Sequence, residues 1–159
     1  MKNLKFSRLF AAMMVVACLA LVGCSNEPKE EVSIYGTWAC DDGQKFIITS
    51  NELKNYWGDN EGYAGDNLSV VEISETEGTI FIKYTRSLDY SSPTYYSENG
   101  VDVGKWYAVS YKDLKTGSIS ISGAYKDGGK TSCSTLDEAK TEFTVDNGYF
   151  ATYSELKKQ

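Results

Sequence analysis

Four cysteines, Cys18, Cys24, Cys40 and Cys133, are the side chains of this 159-residue chain best suited to covalent chemistry, and no histidine accompanies them. A thiol can serve as nucleophile, metal ligand, site of lipid attachment or half of a disulfide. Without imidazole, Ser-His-Asp and Cys-His nucleophilic systems are excluded, as are His-ligated zinc and haem and the usual proton shuttle near neutral pH. The remaining route to catalysis is a pair of facing carboxylates with divergent pKa values. The acidic residues here fall mostly in turns, and Glu72 and Glu142, within predicted elements, have no visible partner. No catalytic residue, metal or cofactor is expected, and the chain reads as a binding protein rather than an enzyme.

The position of Cys24 is the sharpest signal. Lys2, Lys5 and Arg8 precede an apolar run from Leu9 to Val22, too short and wrongly flanked for a membrane span, so residues 1–23 read as a signal peptide. Its ending, Leu21-Val22-Gly23-Cys24, resembles the lipobox of bacterial lipoproteins. That resemblance implies cleavage before Cys24, a diacylglyceryl group on its thiol and an acyl group on the new amine. An ordinary secretory signal with a chance cysteine is the alternative. Two or three acyl chains hold a protein on a membrane stably where one does not. Residues 24–32 are polar and lack an apolar period, as expected of a lipidated flexible tether. Ser25, rather than Asp, favours the outer membrane in lipoproteins of this kind, which places the protein in the bacterial cell envelope.

Loss of residues 1–23 removes three basic residues and no acidic one, leaving 13 Lys and Arg against 22 Asp and Glu, a formal charge of −9. That balance argues against nucleic acid and against attraction to anionic lipid. The size fits one domain, residues 33–159, with a real core.

These residues show short alternating apolar runs broken by turn signals, predicting strands at about 33–40, 44–49, 52–57, 67–74, 79–85, 104–112, 117–125 and 148–154. One helix is predicted over 135–143, where Ser134 or Thr135 opens a capping box. Many antiparallel strands and one helix leave sheet edges that closure into a barrel removes. The connections 58–66, 86–103 and 126–147 read as long and the others as tight, so alternating strands put the long ones at one mouth-like end. A strand at Thr94–Ser97 would flip this parity. The Asp- and Asn-rich glycine segment from Trp57 to Asn67 has a weak calcium reading, but its spacing fails the EF-hand pattern and suits ordinary turns.

Gly36-Thr37-Trp38 opens the first strand. Gly-x-Trp there, a meander of about eight strands and a helix next to the last strand together resemble lipocalin-like (calycin) proteins. The resemblance implies an all-β, antiparallel up-and-down barrel with one short helix before the last strand. It gives Gly36 and Trp38 structural roles, the indole packing across the closed end.

With Cys18 cleaved away and Cys24 lipidated, Cys40 and Cys133 are the remaining thiols, and both fall at the long-loop end. Thiols of an exported domain usually pair, so a disulfide is expected, with two free cysteines the alternative. Two functions stay open. A small apolar or aromatic ligand would bind in or at the mouth of the barrel, with Trp57, Tyr84, Trp106, Tyr107 and Tyr125 as walls and Tyr90, Tyr95 and Tyr96 as rim. Alternatively, a barrel filled by its own side chains would bind a protein partner, as an inhibitor or host-factor binder, through its tyrosine-rich loops.

Overall fold

The computed structural model describes residues 32–159. The expected signal peptide, the expected lipidation site Cys24 and the expected tether up to residue 31 lie outside the described residues. The elements are β1 (Gly36–Ala39), β2 (Gln44–Ile48), β3 (Glu52–Trp57), β4 (Asn60–Ser74), β5 (Glu77–Leu88), β6 (Tyr96–Ser97), β7 (Trp106–Lys115), β8 (Ser118–Gly123), α1 (Leu136–Glu142) and β9 (Ser154–Lys158). Antiparallel neighbours run β4-β3-β2-β1-β9-β8-β7-β5, and a β4–β5 pairing closes the ring. The fold is therefore an eight-stranded antiparallel up-and-down barrel with a short helix before its last strand, as the sequence pattern predicts. Closure leaves no stave with an unpaired edge.

Register decides which side chains fill it. The directly opposed pairs Trp38↔Phe46, Ile48↔Leu53, Gly65↔Tyr84, Ile82↔Tyr107, Val109↔Gly123 and Ile119↔Leu156 share the inner face around the ring. Trp38, Phe46, Ile48, Leu53, Ile80, Ile82, Val109, Ile119, Ile121 and Leu156 are all buried there. The lower and middle barrel is a packed core, as small barrels allow. Trp38 is fully buried and its indole N–H donates to the Ile34 carbonyl at 2.8 Å. Lys158, the last residue of β9, sets its ammonium 5.6 Å from the indole ring. Gly36 fits beside it because its φ of +143° and the Lys158 chain, 3.1 Å from where a Cβ would stand, leave little room for a side chain.

Four strand expectations shift. Residues 58–66 are not a long loop: Gly58 and Asp59 make a two-residue turn, and β4 begins at Asn60, opposite Trp57. The last strand lies at Ser154–Lys158 rather than 148–154, because Tyr149 and Phe150 are both buried where a strand would expose one of them. The expected β7–β8 turn at 113–116 is instead Thr116-Gly117, with β7 running through Lys115 across an irregularity between Lys112 and Lys115. Tyr96–Ser97 is a strand, yet parity survives, since β6 pairs only with the Ser87–Leu88 end of β5 and is no stave.

The helix forms where predicted. Thr135 caps it, its hydroxyl accepting from the Glu138 N–H at 3.2 Å, while the Glu138 carboxylate accepts from the Ser134 N–H at 3.1 Å. α1 lies against β5 and β7.

The expected Cys40–Cys133 disulfide is not formed: both residues are free thiols. Cys133 takes β8's place beside β7, exchanging backbone hydrogen bonds of 2.8 and 2.9 Å with Trp106, whereas Cys40 directly follows β1. β9 separates those two columns, and two strand spacings amount to roughly 10 Å, beyond the ~7 Å Cα limit for a bridge. The Cys40 thiol instead donates to Asp42 Oδ1 at 2.6 Å. Burial raises both thiol pKa values, helped at Cys40 by the bond to Asp42 and at Cys133 by Glu138.

Candidate functional site: the rim of the barrel

Alternating strands bring the β1–β2 and β3–β4 turns and the long β5–β7 and β8–β9 connections to one end. The two long connections are latched to each other. Asp102 is buried and accepts from Lys105 at 3.0 Å and from Ser132 across the mouth at 2.7 Å. Burial alone would raise its pKa, but the bonds from Ser132, Lys105 and Thr131 outweigh it and hold the carboxyl below its ordinary value.

Just below the mouth lies a cluster of rings. Phe46, Tyr63, Tyr84 and Tyr107 meet with centroids 4.9 to 6.4 Å apart, Tyr84 stacked on Tyr107 and the rest edge-on. Phe143 and Tyr149 extend the chain of contacts to the helix. Gly123 makes room for two hydroxyls, since a Cβ there would sit 2.7 Å from the Tyr107 oxygen and 3.3 Å from that of Tyr63. Burial pushes the phenols of Tyr63, Tyr84 and Tyr107 far above their ordinary pKa, so they remain neutral donors. A recess of about 200 Å³ lies above them, bounded by Tyr96, Asp102, Tyr125, Lys126 and Lys130 among others.

A second cleft lies on the rim, between the β3–β4 hairpin and the loop leading into β6. It has a volume of about 500 Å³ and is lined by Asn55, Trp57, Asn60, Glu61 and Gly62 on one side and Pro93, Thr94, Tyr95 and Tyr96 on the other. Trp57 has the inner-face parity of Leu53 and Asn55 but is the last residue of β3, so its ring stands above the core and is 58% exposed. Opposite it, Tyr95 has φ +60°, a left-handed conformation costly for an aromatic residue.

Several bonds hold that loop in place. The Asp89 carboxylate accepts from the Ser91 N–H at 2.9 Å, the Ser91 hydroxyl at 2.6 Å and the Ser97 hydroxyl, which keeps its pKa low. The Asp89 N–H donates to the Tyr95 carbonyl at 2.9 Å, the Tyr95 N–H donates to Ser92 at 3.0 Å, and Arg86 donates to the Tyr96 carbonyl at 2.6 Å. The loop is thus braced from its own residues and from β5. Among the described residues, two buried polar atoms lack partners: Gln44 Oε1, on the residue paired with Trp57, and Arg86 Nε.

The residues expected to form one site divide into three groups. Trp57, Tyr95 and Tyr96 come together in the rim cleft. Tyr84 and Tyr107 are buried core residues that border the small recess, as does the largely exposed Tyr125. Trp106 points to the outer face, opposite in parity to Tyr107, and Tyr90 is 78% exposed and borders neither cavity. Asn55, Asn60, Glu61 and Pro93 are not among the residues expected to bind the ligand, although Asn60 and Glu61 fall in the segment with the calcium reading. The Gly-Asp pair after Trp57 is a hairpin signal that places Asn60 across from the indole, and period-two spacing from Leu53 places Asn55 on the same face. Among the described residues no three potential ligands converge as a metal site, and no helix is long and apolar enough to cross a membrane. Comparison with protein-family models, with curated proteins and with solved structures finds no match to this chain.

Proposed function

We propose that this protein is a lipid-anchored binding module of the bacterial cell envelope, held at the outer membrane through Cys24, and that its ligand sits on the rim of a lipocalin-like barrel. The supporting observation is a contrast in space. The interior is filled by its own side chains, whereas the rim offers about 500 Å³ between Trp57, Tyr95 and Tyr96, within the size range of small-molecule sites. Aromatic walls with a few amide and carboxylate groups suit a small ligand with an apolar or aromatic body. The role proposed for it is binding rather than catalysis.

Native mass spectrometry of the full chain, purified in detergent from its own host, tests this reading. The expected result is a bound small molecule that Trp57→Ala removes; a bound molecule that Trp57→Ala leaves in place rejects the site. Replacing Cys24 by Ser should release the protein into the soluble fraction, and continued sedimentation with lipid would reject the anchor. A protein partner is the second reading. It draws on Tyr90, Tyr125 and Val101, all largely exposed at the same end, and crosslinking from Tyr90 to another protein in the envelope would favour it.

A further inference from the structure

We infer that the rim cleft recognises an organic cation, an amine or quaternary ammonium group held between aromatic faces and a carboxylate. This deepens the proposed function and rests on the cleft being the binding site. The first ground is composition. Three aromatic side chains, Trp57, Tyr95 and Tyr96, border the cleft, and no lysine or arginine does. Aromatic faces attract cations through their quadrupole, most strongly where water is displaced.

The second ground is Glu61, the cleft's one carboxylate. It is half-buried and has no ion-pair partner within 4 Å among the described residues. The nearby cations are engaged elsewhere: Lys54 binds Glu52 at 2.9 Å, Lys45 lies over the Tyr56 ring at 4.3 Å, and Arg86 holds the Tyr96 carbonyl at 2.6 Å. Glu61 accepts only a long bond, 3.3 Å, from the Tyr56 hydroxyl. Glu61 stands opposite Tyr56, on the face of the ribbon turned away from Trp57, and its charge also acts on Lys54, so it borders the cleft from one edge and adds to the attraction for a cation there. The chain's net charge of −6 adds long-range attraction of the same sign.

The third ground is preorganisation. Tyr95 keeps a strained left-handed backbone inside a braced loop while 63% exposed, so its ring is held out for contact instead of collapsing onto the barrel. Rigid aromatic walls lower the ordering cost of binding a small ligand.

The test compares choline with its neutral isostere 3,3-dimethylbutan-1-ol, read on the Trp57 indole N–H signal of the full chain in detergent, assigned with Trp57→Phe. Choline is expected to shift that signal saturably, with affinity about tenfold above the isostere. Glu61→Gln should weaken choline severalfold and leave the isostere unchanged; wild-type spectral dispersion in that variant shows that the fold is kept. Equal binding of choline and isostere, or preference for the isostere, overturns the cation while the cleft stands as the site. No saturable shift by choline overturns the cation as well. The cleft itself fails only when the co-purifying molecule survives Trp57→Ala.

Discussion

The interior of this barrel and its rim are built from the same kinds of side chain and use them in opposite ways. Inside, Phe46, Tyr63, Tyr84 and Tyr107 touch one another ring to ring below the mouth. On the rim, Trp57, Tyr90, Tyr95 and Tyr125 are 58 to 78% exposed and make no ring pair among the described residues. Height along a stave separates the two groups, not residue type. Leu53 and Trp57 share one face of β3, yet Leu53 faces a filled core and Trp57 stands beyond its top. A barrel of this construction can therefore offer an aromatic binding surface without being hollow.

If the interior carries stability and the rim does not, the two should respond very differently to truncation. Trp38 is the most demanding case, because it is fully buried, hydrogen-bonded at Nε1 and covered by Lys158. Trp38→Ala should cost about 3–5 kcal/mol, a large part of the ~5–15 kcal/mol that holds a domain folded. Urea unfolding measures it. A cost below about 1 kcal/mol, the size usual for surface changes, would erase the distinction between the two regions.

The same contrast explains what could be read from the sequence. The barrel was legible because inner positions such as Ile119 and Ile121 alternate with serines, and because Gly36 and Trp38 mark its opening strand. Thr135 and Glu138 announced the helix cap. The site was legible only in part. Trp57, Tyr95 and Tyr96 can be picked by residue type, but alternation cannot say where a stave leaves the core, so residue type alone marks Tyr84 and Tyr107 as walls just as well. Trp106 and Tyr107 are adjacent in sequence and face opposite sides, which only the register with Lys83 and Ile82 decides. The disulfide expectation failed for a similar reason. Loop parity placed Cys40 and Cys133 at one end, but not around the ring, where β9 lies between them.

The latch between the long connections gives an intermediate effect. Asp102 is buried, with hydrogen bonds from Ser132 and Lys105. Asp102→Ala removes charged hydrogen bonds worth about 2 kcal/mol. Its folded pKa is depressed, so the stabilisation is complete above the ordinary aspartate value of about 3.9 and disappears as pH falls through the lower folded value. Wild type should therefore exceed the variant in urea midpoint at pH 7, and the two should converge in acid. A gap that stays constant down to pH 2 would mean that packing, not the carboxylate, ties the mouth to the core.

Tyr95 makes the smallest expected change in stability and separates the two regions most sharply. Its φ of +60° is a conformation glycine adopts freely and tyrosine does not. In Tyr95→Gly the relief of that strain, roughly 1 kcal/mol or more, is offset by the greater freedom that glycine gives the unfolded chain, about 0.4–1 kcal/mol. The urea midpoint should remain within about 0.5 kcal/mol of wild type, on either side. Ligand affinity should fall regardless, since one wall of the cleft is gone. Tyr95→Ala separates the causes, because it deletes the ring but keeps a Cβ at the strained φ, so its stability should lie below that of the glycine variant. If both variants lost several kcal/mol, the Tyr95 ring would belong to the core. If both kept full affinity, the strain at this position would serve something other than recognition.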